Sequence, residues 1–382
     1  MRLLFTIVLL SGFVLSAFSQ SVRIGLCNDL DLKSIVVSYL KGRYQVFADS
    51  ALLMELPKDD ALYVSMYGTK LLVRNSQEAI GTFGTIKITE VDTGSVFRMM
   101  AVTPKSETHQ YANSLTLSVA YGRIMAINEA QVDNYVSGVV EAETGPNALP
   151  ELYKAQAVLV RTFLYGHIGR HGSEGFDLCD GVHCQAFKGR AIRNLAVVAA
   201  TKATAGQVVL APDSTFITAF FHANCGGETE SAYNAWLSGK SYLIPVKDPF
   251  CLNSPGAQWI KKVPIEQWSQ YLKAHGFKLP KKFAPIGFDI TQINRKQYYR
   301  IGKDSIPMKQ IRNDFQLRST FFSVIASEKE ITLKGKGYGH GVGMCQEGAI
   351  QMAKIGYKYD EILNYYFKGI RLSNLSGVRP AK

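Results

Sequence analysis

Beyond its opening segment the chain has no apolar run long enough to cross a bilayer, so a helical membrane span is excluded from the rest of it. Internal repeats and low-complexity linkers are also missing, and the remainder reads as one interlocked α+β unit. Acidic residues are scarce: 31 Asp and Glu stand against 43 Lys and Arg, for a formal charge of +12. Such a balance suits an acidic polymer, namely nucleic acid, anionic lipid or cell-wall polysaccharide.

What is present first is a leader. Residues 1–19 carry one arginine, an apolar stretch, and small residues at Ala17 and Ser19 ahead of Gln20, which predicts a cleavable secretory signal peptide. Gln20 in place of a cysteine argues against a lipoprotein, and export to the periplasm or cell exterior makes nucleic acid the least suitable of the three partners. The six cysteines, Cys27, Cys179, Cys184, Cys225, Cys251 and Cys345, would by default form disulfides in such a compartment.

Short alternating runs such as VRIGL, YQVFA and GTIKITEV predict a β-rich region over residues 20–121. A catalytic core follows over 122–256, an inserted α/β subdomain over 257–330, and a C-terminal part over 331–382 that completes the core. The centre of the chain is Asn128–Arg161. A strand over Tyr121–Ile127 leads to a helix on which Val132, Val136, Val139 and Glu143 share a stripe, so a carboxylate points where apolar side chains point. Gly145-Pro146 stops this helix. Desolvation and the negative helix end both raise the pKa of Glu143, as a general acid requires. Glu141, about 200° away around the helix, reads as a solvated residue.

A second helix has Asn147 as cap and Pro150 in its first turn, and its Lys154 and Arg161 share a face. These two cations read either as ligands for a polar substrate or as surface residues with buried stems. His171, Cys179, His183 and Cys184 fall within fourteen residues, the donor set of a closed, structural zinc site. A Cys179–Cys184 disulfide is the plainer alternative. Cys225 and Cys251 are candidates for a structural disulfide, and Cys27 and Cys345 for buried thiols or a pair. The run GKGYGHGVGM lets backbone pass close to a ligand while presenting Tyr338 and His340 to it, a surface suited to sugar rings. It lacks the Gly-Lys-Ser/Thr ending of a phosphate loop. His222, beside the glycine-rich corner HANCGG, is counted with them as a substrate ligand.

YVSGVVEAETGPNALPELYKAQAVLVRTF resembles the core signature of the stage II sporulation protein D family, whose domain is shared with amidase-enhancer proteins. FDLCDGVHCQAFKG, FFHANCGGETESA, IRNDFQLRSTFF and GYGHGVGMCQEGA follow in the family's order, and the resemblance runs from about Val22 to Leu372. It implies a lytic transglycosylase that cuts peptidoglycan strands lacking stem peptides. Glu143 would be its acid and base, Lys154 and Arg161 its helix cations, and His171, Cys179, His183 and Cys184 its structural zinc ligands. Thr144 departs from the usual Met, and Cys345-Gln346-Glu347 from Ser-Gln-aromatic. The rival readings are a non-catalytic glycan binder that stimulates a cell-wall amidase, and a metal hydrolase built on the His/Cys turn.

Overall fold

The alternation of the first hundred residues becomes two antiparallel-rich sheets in a computed structural model that describes residues 21–145, 148–236, 239–279 and 285–377. The leader over 1–19, the proposed cap Asn147 and the stop residue Pro146 lie outside the described residues. One sheet has seven strands in the order Leu178–Cys179, Ser21–Leu26, Arg123–Gln131, Ser114–Ala120, Thr85–Glu90, Tyr44–Ala48, Ala51–Glu55. The other has six, His109–Ala112, Val96–Thr103, Ser34–Lys41, Ala61–Tyr67, Lys70–Arg74, Ala79–Phe83. Every second residue of the principal strands is buried, for example Ile35 and Val37, Leu62 and Val64, Ile86 and Ile88, so the two sheets share one core. The chain is thus α+β with a β-rich N-terminal part.

The strand read over Tyr121–Ile127 runs instead over Arg123–Gln131, and the first helix, α1, over Val132–Thr144. Asn128 therefore lies in a strand, where its buried side chain donates to the carbonyls of Ala112 and Ser114 at 2.9 and 2.7 Å. These bonds offset the cost of burying an amide. Strand leads directly into helix, so the sheet fixes where α1 begins. The second helix, α2, spans Pro150–His167 with Pro at its start, and Leu152, Ala155, Leu159 and Phe163 pack inward as the pattern required. A third, α3, spans Leu195–Ala203, capped by the Asn194 side chain on the Ala196 amide at 2.9 Å. Short strands follow at Gln207–Leu210 and Phe221–His222.

The region from 257 onward has its own core of Trp259, Trp268, Phe288, Tyr299, Ile311, Phe322 and their neighbours. Its strand Gln258–Pro264 pairs with Glu330–Lys336, beyond the boundary at 330, so the subdomain closes on the same strand that carries the chain back to the glycine-rich run. Helices Gln346–Lys354 and Tyr359–Tyr366 follow, and strand Arg371–Asn374 then pairs with Gln207–Leu210. Among the described residues no helix is long and apolar enough to cross a membrane.

Arg161 departs from its place among the substrate ligands. It is 1% exposed, and its guanidinium donates to the carbonyls of Thr204, Gln207 and Thr201 at 2.8, 3.2 and 3.3 Å and meets Asp133 at 3.4 Å. The spacing to Lys154 placed both on one face correctly, but the end of α3 covers that face at the level of Arg161. Arg161 gathers carbonyls from the end of α3 and the turn that follows it. Arg161→Met, which keeps the stem and removes the donors, should cost about 3 to 5 kcal/mol, read as a lower urea midpoint. An unchanged midpoint with weakened glycan binding would instead return Arg161 to the substrate.

Candidate active site

Helix α1 is buried on nearly every side, because the segment 185–194 crosses its outer face as a strap. Stripe logic therefore fails for Glu141. It is 4% exposed, and its carboxylate accepts the amides of Ile192, Arg193 and Asn194 at 3.1, 2.7 and 2.9 Å. The expected surface residue is the clasp that holds the strap. The close approach has a second sign at Gly138, where a Cβ would stand 2.1 Å from the carbonyl oxygen of Gly189. Tyr135, on the same helix, meets Gln185 at 3.2 Å.

Glu143 lies under the start of this strap, half-buried in the last turn of α1, and Gly145 ends the helix at φ 69°. One hydrogen bond reaches its carboxyl among the described residues, from the amide of Ala186 at 3.3 Å. Burial raises its pKa, while the Ala186 amide and the charge of Lys188 oppose the rise without cancelling it. The cation near the acid is thus Lys188 on the strap, which helix spacing could not reveal. Lys154 pairs with Glu151 at 2.7 Å and lies 5.9 Å over the Tyr359 ring. Thr144 turns its hydroxyl back to the Val140 carbonyl at 2.6 Å.

The His/Cys turn flanks the strap. Its strand Leu178–Cys179 joins the edge of the seven-stranded sheet beside Ser21–Leu26, and Asp180 accepts the amides of Cys27 and Asn28 at 2.6 and 3.2 Å. One donor atom from each of His171, Cys179, His183 and Cys184 falls within 4.8 Å of the others. Cys184 Sγ is 3.5 Å from His171 Nε2 and 3.8 Å from His183 Nδ1, and both cysteines are free thiols. His171 Nδ1 lies 2.6 Å from Glu174, an arrangement that leaves Nε2 as the metal-facing lone pair. This set of donors fits a tetrahedral zinc ion.

A second group of candidate residues lies where Phe221–His222 pairs in parallel with Met344–Cys345 and Asn224 bridges Tyr338. His222 is buried, its Nδ1 3.0 Å from the Val342 carbonyl, and its Nε2 has no hydrogen-bond partner among the described residues. The ring of His340 lies 5.5 Å from it, and burial followed by the charge of Arg312 pushes the His340 imidazole down to about 4. Burial also holds His222 well below its usual value. Both imidazoles are neutral near pH 7. Tyr338 is half exposed, with Arg318 5.7 Å over its ring. Beneath the run lies Arg295, unnoticed in the sequence: it donates to the Cys225 and Glu228 carbonyls at 2.6 and 3.2 Å, and a Cβ at Gly341 would stand 2.8 Å from its guanidinium. A hollow beside His340 is lined by Glu230, Asn234, Lys296, Tyr298 and Arg312, and Glu143 is not part of its wall. The two groups are linked through Gln346, whose amide nitrogen is 3.4 Å from the Glu143 carbonyl and 3.5 Å from Gln156 Oε1.

The two glutamates of α1 should separate in stability. Glu141→Ala strands three strap amides, one beside the half-exposed Ile192, and should cost about 2 to 4 kcal/mol. For Glu143 the folded pKa lies above the unfolded one, so its ionised form is the one the fold disfavours, and stability is lost as pH rises between the two values. Glu143→Gln should therefore keep or raise the urea midpoint at neutral pH; a fall as large as that of Glu141→Ala would show both carboxylates to be structural.

The family model described as stage II sporulation protein (SpoIID) matches residues 120–210, which hold α1, α2, the His/Cys turn and α3. Over 274 residues the chain is 29% identical to an uncharacterized protein of Brachyspira hyodysenteriae, covering 70% of this chain and 74% of that one. It is 28% identical over 279 residues to stage II sporulation protein D of Bacillus subtilis, covering 69% and 80%. It is 24% identical over 291 residues to the amidase enhancer of the same organism, where the match covers 60% of this chain and 39% of the longer relative. The chain thus carries a stage II sporulation protein (SpoIID) domain over residues 120–210 and is similar along most of its length to stage II sporulation protein D.

Proposed function

We propose that the protein is a cell-wall enzyme, an exported lytic transglycosylase that cleaves peptidoglycan glycan strands lacking stem peptides. The observation that carries this reading is Glu143, a carboxyl raised by burial and held by a single amide. As an acid it protonates the glycosidic oxygen and the C1–O bond breaks. As a carboxylate it then takes the proton from the muramic acid 6-hydroxyl as that oxygen closes on C1. No water is consumed, and the product ends in a 1,6-anhydro ring.

A hydrolytic route needs a second carboxylate. The candidates nearby are committed: Glu228 pairs with Lys247 at 2.9 Å, Glu347 accepts from Asn224 and Gly256 at 2.5 and 3.1 Å, and Glu230 accepts from Ser231 and Asn234 at 2.9 and 3.0 Å. Tyr338 and His340 offer an aromatic face and a neutral hydrogen-bonding group to the sugars, whereas His222, buried with its Nδ1 on the Val342 carbonyl, is set behind them rather than in contact with substrate, the role expected of it. Lys154 stands ready on α2 for acidic or carbonyl oxygens at the cost of its pairing with Glu151. His171, Cys179, His183 and Cys184 would hold a structural zinc ion, which supplies no chemistry beyond fixing the turn beside the strap. The resemblance to the amidase enhancer supports a second reading, a glycan binder that stimulates an amidase.

Purified protein acting on amidase-treated sacculi should release fragments one water lighter than reducing sugars by mass spectrometry. Glu143→Gln should abolish release while still sedimenting with sacculi. Reducing ends would mean hydrolysis, and binding without any release by the unaltered protein would favour the enhancer. Removing zinc with a chelator should lower the thermal midpoint, with activity falling only as the fold is lost; immediate inactivation at intact fold would instead support the metal-hydrolase reading.

A further inference from the structure

A second buried cluster lies away from the His/Cys turn, and neither the proposed chemistry nor the first zinc site uses it. Cys225, Asp248, Cys251 and Cys345 are all fully buried, and one ligand atom from each falls within 4.8 Å of the others. They come from separate stretches: the glycine-rich corner after Phe221–His222, the turn Asp248–Cys251, and the start of helix Gln346–Lys354. We infer that these four residues bind a second structural metal ion, a zinc, beside the glycine-rich run that carries Tyr338 and His340.

The geometry separates this from a disulfide. Cys225 Sγ stands 3.4 Å from Cys251 Sγ and 3.2 Å from Asp248 Oδ2. Sulfurs around a tetrahedral zinc are about 3.8 Å apart, given bonds of about 2.3 Å, whereas a disulfide requires about 2 Å. The donors are also oriented. Asp248 Oδ1 accepts the amides of Phe250 and Cys251 at 3.1 and 3.3 Å, and Oδ2 accepts the Tyr366 hydroxyl at 3.0 Å, the outer support that metal-binding carboxylates have. Cys345 Sγ accepts the amides of Cys225 and Gly348 at 3.3 and 3.4 Å, which fix its position in the cluster.

Charge points the same way. Among the described residues no Lys or Arg forms an ion pair with Asp248, and Arg295 directs its guanidinium to the carbonyls of Cys225 and Glu228. A buried carboxylate beside three thiols is costly without a cation. Three sulfurs and one oxygen select a thiophilic ion over magnesium or calcium, and with all four positions taken by protein the ion would brace rather than react. What it would brace is specific: Asn224, next to Cys225, exchanges backbone hydrogen bonds with Tyr338 at 3.0 and 2.8 Å, and Gln346, next to Cys345, reaches Glu143.

The test is the zinc content of the full-length protein, purified without chelator, by plasma mass spectrometry. Cys345→Ser should hold one zinc ion fewer than its parent, and Cys179→Ser a different one, so that the double variant loses both. The comparison with the parent keeps the two sites distinct: if the His/Cys turn holds no metal, Cys345→Ser still falls by one. Should Cys345→Ser not fold, the parent decides, since Cys225, Cys251 and Cys345 should resist alkylation until a chelator is added. Unchanged zinc in Cys345→Ser, alkylation indifferent to the chelator, or a Cys225–Cys251 disulfide in peptides from unreduced protein would each overturn the inference.

Discussion

The grip of one carboxylate on three amides underlies the site. Glu141 holds Ile192, Arg193 and Asn194, and so presses the strap 185–194 across a helix that would otherwise have a wet face. The strap brings Ala186 and Lys188 to Glu143, and its near end is the His/Cys turn. Two glutamates on one helix thus have opposite fates. Glu141 gives its carboxylate to three strap amides. Glu143, given one donor and partial burial, is held toward its acid form.

Much of this was legible in the sequence because local rules govern it. Alternation marked the sheets, Pro150 marked the start of α2, and Gly145 marked the end of α1 where the structure has it. The donor set of the His/Cys turn was legible because its residues are close in sequence. What escaped was set by chain segments distant in sequence. Period alone cannot tell a solvated face from one covered by a strap, so Glu141 was read as exposed and Arg161 as available to a ligand. Arg295 escaped because it carries no motif, and the motif that holds Gln346 does not reveal its reach to Glu143; each matters through what it touches, 70 and 203 residues away. The expected Cys225–Cys251 disulfide is absent for a related reason: the third thiol and the carboxylate that complete the cluster lie on other elements, and all four groups share one space.

The candidate site residues therefore rest on two different supports. The first is helical and belongs to the segment matched by the family model. The second is a glycine-rich run that has few side chains of its own and depends on Arg295 beneath it and on the buried cysteines behind it. The subdomain over 257–336 has a separate core, yet it supplies that arginine and the strand leading into the run. An insertion that looks peripheral in the sequence is thus part of the scaffold of the site.

The central claim is that the fold holds Glu143 protonated at a higher pH than an ordinary glutamate. Carbon-13 NMR titration of the side-chain carboxyls, with Glu143→Gln used to assign the signal, measures this directly. The account predicts a midpoint above the value of about 4.3 of an unperturbed glutamate. A midpoint at or below that value, with the Ala186 amide and Lys188 outweighing burial, would contradict it.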